Sequence, residues 1–260
     1  MLIAGGNGGA RVDLNCDMGE GMETDAAIFP FISSANIACG AHAGDVPTMR
    51  RTVELAMAHG VAIGAHPSYP DRERFGRVDM LGSGLSFAAL EDSMFGQLRM
   101  LDAVCRGLGV HLHHVKPHGA LYNRAARDAE VSAVIARVVA EFDPSLLLYG
   151  LSGSLMEPAA DAAGLGFVSE AFADRTYQSD GSLTPRSEPG ALITDGGLAV
   201  EQALKMVREG RVSTPAGEVA INAETVCLHG DGAHAAAFAN LIHEALTSNG
   251  VTIAPPVRER

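Results

Sequence analysis

The stretch Val12-Asp13-Leu14-Asn15-Cys16-Asp17 determines how the first predicted strand must lie in the fold. Successive side chains of a β-strand point to opposite faces. One face therefore carries Asp13, Asn15 and Asp17, whereas the other is apolar and suits packing against helices. Buried carboxylates are costly unless they are hydrogen-bonded, paired or bound to a metal. We therefore expect these polar side chains to point inward, as a hydrogen-bonded brace or as part of a functional site.

Short apolar runs and helix-like segments alternate along the rest of the chain. The strand candidates are residues 11–17, 35–40, 61–66, 111–116, 146–151, 166–170 and 225–229. Helices are predicted at residues 47–59, 87–108, 126–142, 154–163, 198–209 and 233–248. This alternation predicts a parallel sheet with helices outside it, either closed into a barrel or doubly wound. We expect one domain at 11–255 after a flexible N-terminal extension at 1–10, with a long loop at 171–194.

Composition limits the partners that the chain is expected to have. The formal net charge is -12 and only Lys116 and Lys205 are lysines, so we expect no nucleic-acid partner. Without an apolar run of about 18 residues, no membrane association is expected. The start lacks the pattern of a signal peptide and the four cysteines form no Cys-x-x-Cys pair. Buried free thiols and a cytoplasmic location are therefore expected.

Polar residues cluster where the predicted strands end. Barrels and open α/β sheets form their sites at the carboxyl ends of the strands, so we expect these side chains to surround one site. The residues concerned are Asp13, Asn15, Asp17, Asn36, His42, His66, Lys116, His118, Glu170, His229 and Asp231.

Histidine and lysine carry the most informative chemistry in this set. His42 and His66 stand among small residues at strand ends, where either can act as a base, an acid or a metal ligand. Lys116 lies within an apolar strand and needs an anionic partner. Lys116 therefore either pairs with Asp13 or Asp17 as part of the structure, or meets a phosphate or oxyanion.

Two arginines of the predicted long loop complete the candidate site. The guanidinium groups of Arg175 and Arg186 suit a carboxylate or a phosphate, although loop ion pairs are the alternative. The chain has no phosphate-binding loop of the Gly-x-x-x-x-Gly-Lys-Ser/Thr type, no Gly-x-Ser-x-Gly and no His-Glu-x-x-His. These absences disfavour an ordinary P-loop ATPase and a serine hydrolase.

Seven stretches together resemble the LamB/YcsF family. They follow the family order from about residue 11 to residue 250 and are 13–20 (DLNCDMGE), 34–40 (SANIACG), 42–45 (HAGD), 64–67 (GAHP), 116–123 (KPHGALYN), 172–175 (FADR) and 229–231 (HGD). The resemblance implies a seven-stranded β/α barrel, a distorted TIM-like barrel of the glycoside hydrolase/deacetylase type. It also implies ATP-dependent conversion of 5-oxoproline to glutamate, with ATP and Mg²⁺ as co-substrate and with partner subunits B and C.

This reaction assigns expected roles to the candidate residues. A lactam is a poor electrophile until its oxygen is phosphorylated, so the site needs cations, a base and an anchor for the substrate carboxylate. The residues expected to take part in catalysis are Asp13, Asp17, His42, His66, Lys116 and His118. Lys116 with His118 would bind phosphate oxygens, Asp17 or His66 would be the base, and Asp13 would orient a histidine. The residues expected to bind substrate are Asn15, Asn36, Glu170, Arg175, Arg186, His229 and Asp231.

Two other functions fit the same residues. The first is a metal-dependent amide hydrolase or deacetylase acting on another lactam or an N-acyl substrate. His42, His66 and an aspartate of the first strand would then hold a divalent ion that activates water. The second is a non-catalytic subunit that binds the substrate and presents it to partner subunits.

Overall fold

Seven parallel strands close into a barrel in the computed structural model of the chain, which describes residues 10–22, 24–228 and 235–257. The described residues form ten strands in all: β1 (Arg11–Met18), β2 (Ser34–Ala38), β3 (Ala62–His66), β4 (His114–Val115), β5 (Leu147–Leu151), β6 (Gly166–Phe172), β7 (Arg211–Thr214), β8 (Gly217–Ala220), β9 (Thr225–Leu228) and β10 (Thr252–Ile253). The barrel runs β1-β2-β3-β4-β5-β6-β9, and β9 pairs back with β1. The closed barrel is therefore confirmed over the doubly wound sheet.

Helices surround this barrel. They are α1 (Asp25–Ile28), α2 (Val46–His59), α3 (Phe87–Gly107), α4 (Gly119–Ala125), α5 (Ala129–Phe142), α6 (Met156–Ala162), α7 (Gly196–Glu209) and α8 (Ala235–Ser248), with two 3₁₀ turns at Phe29–Phe31 and Leu81–Ser83. In the part of the chain that the structure describes, no helix combines the length and the apolar character needed to cross a bilayer.

The main apolar core lies between the barrel and its helices. Val12, Leu14 and Cys16 of β1 are at most 1% exposed and join this core, so the apolar face of the strand packs as predicted. The polar face of β1 points into the barrel, where its side chains bond to residues of other strands. All four cysteines are free and buried, as expected.

Helix starts follow the capping residues of the sequence. The side chains of Asp45, Ser86 and Asp128 accept hydrogen bonds from backbone N–H groups in the first turns of α2, α3 and α5. The cap at Asp128 also explains where the helix predicted at 126–142 begins. It corresponds to α5 and starts three residues later than predicted, because Asp128 caps it, whereas α4 at Gly119–Ala125 was not predicted.

The second departure is an antiparallel hairpin formed by β7 and β8. Pro215 and Ala216 make its turn. Neither of its two short strands was predicted from the sequence. The loop expected at 171–194 begins later, because β6 continues to Phe172. Both the hairpin and this loop lie over the carboxyl end of the barrel, where they contribute residues to one cavity.

Candidate active site

The innermost polar group of the barrel is a carboxylate that is surrounded by hydroxyls. Oδ1 of Asp13 accepts from Ser33 (2.6 Å) and Ser34 (2.8 Å), and Oδ2 accepts from Thr225 (2.7 Å) and Tyr149 (3.1 Å). We call Asp13, Ser33, Ser34, Tyr149 and Thr225 the hydroxyl layer. Burial raises the pKa of Asp13, although the four hydroxyl donors act in the opposite direction.

Four donors fill the acceptor sites of one carboxylate. Asp13 is 1% exposed and is not among the residues that line the cavity. The expectation that Asp13 orients a histidine is therefore wrong, because its acceptor sites are occupied by hydroxyls. Its position matches the alternative of a hydrogen-bonded brace.

Between the hydroxyl layer and the carboxyl end of the barrel, a lysine forms ion pairs with two carboxylates. Nζ of Lys116 lies 2.8 Å from Oε1 of Glu170 and 3.1 Å from Oδ1 of Asp17. It also donates to Oδ1 of Asn15 and contacts Sγ of Cys227, both at 3.1 Å. We call Asn15, Asp17, Asn36, Lys116 and Glu170 the ionic layer. Burial alone would lower the pKa of Lys116, but the charges of Asp17, Cys227 and Glu170 outweigh it, so the pKa is raised.

These contacts change the role expected for Lys116. Its three N–H groups already have acceptors on Asn15, Asp17 and Glu170, so it has none left for a phosphate oxygen. Of the two aspartates considered as its partner, Asp17 makes the pair and Asp13 does not. Lys116 therefore holds Asp17 in position from below.

Asn15, Asn36 and Glu170 lie beneath the cavity. Each is 0% exposed, and none of the three lines the cavity wall. Asn15 donates to Glu170 and Thr225, and Asn36 donates to Asn15 and to Asp17 at 2.8 Å. The expectation that these residues contact substrate is therefore not met. They connect the hydroxyl layer to Asp17 and fix its orientation.

A group of three imidazoles and one carboxylate follows at the carboxyl end, which we call the histidine cluster: Glu20, His42, His66 and His118. Oε1 of Glu20 is 2.9 Å from Nε2 of His42 and 3.3 Å from Nδ1 of His118. Nε2 of His66 is 3.0 Å from Nδ1 of His118 and 3.3 Å from Oδ2 of Asp17. The rings of His42 and His118 stack at 3.8 Å.

Burial and neighbouring charges shift the pKa values of these three imidazoles in different directions. Burial, together with the charge of His66, lowers the pKa of His42 and of His118 to about 3. Burial would also lower the pKa of His66, but the charges of Asp17 and Glu20 outweigh it and raise the pKa. Burial, reinforced by the charge of Asp17, raises the pKa of Glu20. Around neutral pH, His42 and His118 are therefore neutral.

A strained turn holds one face of the cluster. Phe75 has a φ of 55°, in the left-handed region that non-glycine residues rarely occupy, and its carbonyl oxygen accepts from Nε2 of His118 at 2.9 Å. Such strain costs about 1–3 kcal/mol and clusters at functional sites. Gly76 follows with a φ of 62°, and a Cβ there would lie 3.0 Å from the ring of His118 and 3.1 Å from Cβ of His42.

Two further histidines, one in β4 and one directly before it, are structural. His114 is 0% exposed, stacks on Tyr149 at 4.0 Å and bonds to Asn36 at 2.8 Å. Its ring crosses over Gly64, where any Cβ would collide with it at 2.0 Å. His113, which precedes β4 and is half-buried, bonds to the carbonyl of Pro256.

A cavity of about 830 Å³ opens above Asp17, Glu20, His66, Lys116 and His118. Four arginines also line it: Arg77, Arg127, Arg175 and Arg186. Further wall comes from the loop after β6 and from the β7–β8 hairpin. The cavity therefore combines a floor of acid–base groups with positively charged walls, which suits an anionic ligand.

The two predicted arginines differ in their surroundings. Arg175 is 5% exposed and donates to the carbonyl oxygens of Ala191 (3.2 Å) and Thr184 (2.5 Å), which fixes the loop after β6. Burial, with the charge of Arg186, lowers the pKa of Arg175. Arg186 is exposed at the rim. Both arginines line the cavity, and Arg186 is the better placed of the two to meet an incoming anion.

The structure thus brings together Asp17, His66, Lys116 and His118 as expected, with His42 behind them. His229 and Asp231 lie outside the described residues. Sequence reasoning missed Glu20, Arg77 and Arg127 as site residues. Glu20 ends the DLNCDMGE stretch, two residues beyond β1, and its carboxylate reaches three histidines only because the chain turns at Gly19, which has a φ of 73°.

Known proteins resemble this chain over nearly its whole length. The sequence profile of the LamB/YcsF family matches residues 12–260. A protein of Tolumonas auensis, named as the A subunit of 5-oxoprolinase, is 53% identical over 250 residues, covering 94% of this chain and 98% of that protein. A protein of the same name from Neisseria meningitidis serogroup C is 49% identical over 244 residues, covering 94% of this chain and 98% of that protein.

A solved structure gives the same result for the fold. The crystal structure of a lactam utilization protein from Thermus thermophilus has a TM-score of 0.88 and 45% identity, covering 94% of this chain and 99% of that chain. The chain belongs to the LamB/YcsF family, and the seven-stranded β/α barrel implied by its motifs is confirmed.

Proposed function

We propose that this member of the LamB/YcsF family is the A subunit of an ATP-dependent 5-oxoprolinase, a hydrolase that opens 5-oxo-L-proline to L-glutamate. Relatives that are 53% and 49% identical are named as the A subunit of 5-oxoprolinase. The observation that carries the proposal is Asp17. This carboxylate is fixed by Lys116 and Asn36 on the floor of a cavity with four arginines in its walls.

The substrate explains why ATP is needed. An unstrained lactam is stabilised by amide resonance, so its ring carbon reacts poorly with water. Transfer of the γ-phosphoryl group of ATP, with Mg²⁺, to the lactam oxygen releases ADP and the N–H proton and leaves a carbon–nitrogen double bond. One water adds to the ring carbon, and rupture of the C–N bond gives an amine and an acyl phosphate. A second water releases phosphate and completes glutamate.

Asp17 is the proposed base for the first water. Its Oδ1 accepts from Asn36 at 2.8 Å and from Lys116 at 3.1 Å, which holds Oδ2 on the side of His66. In the proposed step, Asp17 takes a proton as the water oxygen bonds to the ring carbon and gives it to the ring nitrogen. As the C–N bond breaks, Asp17 moves the proton of the new hydroxyl to the same nitrogen, which leaves as the amine. Positioned acid–base groups of this kind contribute about 10²–10⁴-fold to rate.

The cavity walls support an anionic substrate and an anionic co-substrate. Guanidinium groups bind carboxylate and phosphate oxygens in pairs. Arg186 at the rim is the proposed anchor for the substrate carboxylate, and Arg77 and Arg127, which also line the cavity, are the proposed contacts of phosphate oxygens. The volume of about 830 Å³ is larger than a five-membered lactam requires, so a phosphate-bearing co-substrate can share it.

The partners belong to the same proposal. The relatives are named as one subunit of an enzyme, which supports an assembly of several chains, and subunits B and C are the proposed partners. The cytoplasm is the proposed location, because ATP is supplied there. A non-catalytic role as a substrate-presenting subunit remains the competing proposal, and kinetics of site variants distinguish the two.

The test is glutamate release from 5-oxoproline with ATP and Mg²⁺, measured for this chain alone and for its mixture with subunits B and C. Activity in the mixture, with one ADP formed per glutamate, supports the proposal. A mixture of folded, associated subunits that forms no glutamate would overturn it. Variants of Asp17 that change only KM would support substrate presentation over catalysis.

A further inference from the structure

Two ring nitrogens of the histidine cluster, Nε2 of His66 and Nδ1 of His118, face each other at 3.0 Å. Nδ1 of His66 lies 2.7 Å from the carbonyl oxygen of Lys116, and Nε2 of His118 lies 2.9 Å from the carbonyl oxygen of Phe75. A carbonyl oxygen only accepts, so each ring carries its N–H at that position. In neutral rings, lone pairs are then left on Nε2 of His66 and Nδ1 of His118, which are 3.0 Å apart.

Two lone pairs at this distance repel each other, so either a proton on Nε2 of His66 or a metal ion must lie between them. Glu20 adds a third donor at the same point, because its Oε1 lies 3.3 Å from Nδ1 of His118 and 3.9 Å from Nε2 of His66. A tetrahedral Zn²⁺ with bonds of about 2.0–2.1 Å places neighbouring ligand atoms about 3.3 Å apart. The three separations of 3.0, 3.3 and 3.9 Å bracket that value.

We propose that Glu20, His66 and His118 bind one divalent transition-metal ion, with Zn²⁺ as the ion that best fits the donors. Two imidazole nitrogens and one carboxylate oxygen suit Zn²⁺ and its first-row neighbours, whereas Mg²⁺ and Ca²⁺ prefer oxygen ligands alone. All three ligands line the cavity, so the remaining coordination position faces the space where substrate would enter. Sites with three protein ligands and one open position are the catalytic type.

The surroundings of the three ligands match those of metal sites. Metal-bound histidines nearly always donate their second N–H to a carbonyl or carboxylate, which fixes the ring and its tautomer. The carbonyls of Lys116 and Phe75 do this for His66 and His118. The strained φ of Phe75 keeps one of these carbonyls in place. Oδ2 of Asp17, 3.3 Å from Nε2 of His66, adds negative charge next to the proposed ion.

His42 is a positioning residue for this site. It does not line the cavity, its Nε2 lies 2.9 Å from Oε1 of Glu20, and its ring stacks on that of His118 at 3.8 Å. A neutral His42 can donate Nε2–H to Glu20 and so orient the carboxylate. This arrangement replaces the ligand set expected from the sequence, in which an aspartate of the first strand joined His42 and His66.

Metal binding deepens the proposed function, but the two can fail separately. Binding of an ion to the full chain is measured without substrate, ATP or partner subunits. Glutamate release tests the reaction. A chain that binds no ion but supports full turnover in the mixture would remove the metal site and leave the reaction. A chain that binds the ion but forms no glutamate in the mixture would keep the metal site and remove the proposed reaction.

The experiment uses the full chain after exhaustive dialysis against a chelator, titrated with Zn²⁺ in a calorimeter and with Co²⁺ in a spectrophotometer. The expected result is one ion per chain, with the intense visible absorption of Co²⁺ in a tetrahedral site. The variants Glu20→Gln and His118→Gln are expected to bind at least about 100-fold more weakly, the upper end of what even outer-shell changes cost. His42→Asn should weaken binding by about 10–100-fold.

His243→Gln is the matched control, since His243 lies on α8 and bonds to the carbonyl of Phe31, outside the histidine cluster. This variant should bind Zn²⁺ like the unmodified chain. A chain that binds no Zn²⁺ would overturn the proposal. In that case a proton, rather than a metal ion, lies between Nε2 of His66 and Nδ1 of His118. The proposal would also be overturned by binding that Glu20→Gln and His118→Gln leave unchanged. The Co²⁺ spectrum of the unmodified chain decides the matter if those variants do not fold.

Discussion

The two ends of the barrel interior use the same residue type for different purposes. At the inner end, Asp13 lies in the hydroxyl layer and accepts four hydrogen bonds from neutral donors. At the carboxyl end, Asp17 shares Oδ1 between Lys116 and Asn36 and turns Oδ2 towards His66 and the cavity. The two aspartates lie on the same face of β1, four residues apart.

The difference shows how buried polar groups divide into structure and function. A carboxylate whose acceptor sites are filled by neutral donors is satisfied and has nothing left to offer a ligand. A carboxylate fixed on one oxygen and directed by the other into a cavity can take a proton. Distance from the cavity, rather than residue type, therefore separates the two roles. Variants at each end test this division.

The largest expected effect is on turnover and comes from Asp17→Asn. Asparagine keeps the shape of the side chain but cannot take a proton from water. The kcat of the assembled complex should fall by about 10²–10⁴-fold. Initial rates of glutamate release measure this, with Asp102→Asn as the control, because Asp102 pairs with Arg106 on the outer surface of α3. A kcat of Asp17→Asn close to that of the control would exclude Asp17 as the base.

The second prediction concerns stability and uses the two lysines of the chain as a matched pair. Lys116→Met leaves Asp17 and Glu170 without their buried counter-charge, and removing one partner of a buried ion pair costs about 3–5 kcal/mol. Lys205→Met removes a surface pair with Glu218 and should lower the free energy of unfolding far less, because water can replace the lost partner. Urea unfolding of the full chain measures both free energies of unfolding. Equal losses would contradict the structural role assigned to Lys116.

The sequence predicted the faces of the barrel interior but not the depth of each residue. The alternation along β1 is a local property of a strand, so the inward direction of Asp13, Asn15 and Asp17 could be predicted. However, Asp13 and Asp17 are separated by four residues of strand, which is about 13 Å. Only the closed barrel shows that the cavity lies at the Asp17 end. For this reason Asp13 and Asn15 were placed in the site together with Asp17.

Residues beyond strand ends were harder to predict. Glu20 reaches the histidine cluster through the turn at Gly19, and the position of such a turn depends on the tertiary structure. The β7–β8 hairpin was missed because its strands are four residues each and mostly exposed, so they show little apolar alternation. The histidines His42, His66 and His118 were predicted correctly as neighbours, since parallel strands bring their carboxyl ends to one edge.

The third prediction isolates the hydroxyl layer. Tyr149→Phe removes one of the four donors to Asp13 and keeps the ring that stacks on His114. Loss of a buried hydrogen bond to a charged group should lower the free energy of unfolding by about 1.5–3 kcal/mol, while kcat stays nearly unchanged. Tyr69→Phe is the control, because Tyr69 donates to Asp79, whose side chain is 34% exposed and can bond to water instead. A loss of turnover as large as that of Asp17→Asn would show that the two ends of the barrel are not separate.

The last prediction uses pH to compare the two ends, and its effect is the smallest. Burial, with the charges of His113 and Lys116, lowers the pKa of His114 well below its usual value. The unfolded chain then binds a proton on His114 below about pH 6.5 that the folded chain does not bind. Stability from this group is therefore present above that pH and falls, as pH drops, by up to about 1.36 kcal/mol per pH unit.

Other groups act with the opposite sign. The raised pKa of Asp13 makes the folded chain bind a proton more readily than the unfolded chain, so its contribution decreases as pH rises. The measured quantity is therefore the difference in slope between two proteins, from urea unfolding at several values between about pH 6.5 and pH 5. His114→Gln should reduce the dependence of stability on pH by about one proton, whereas Tyr69→Phe should leave it unchanged. An unchanged slope in His114→Gln would mean that His114 binds its proton equally well in both states, and that the inner end of the barrel admits water.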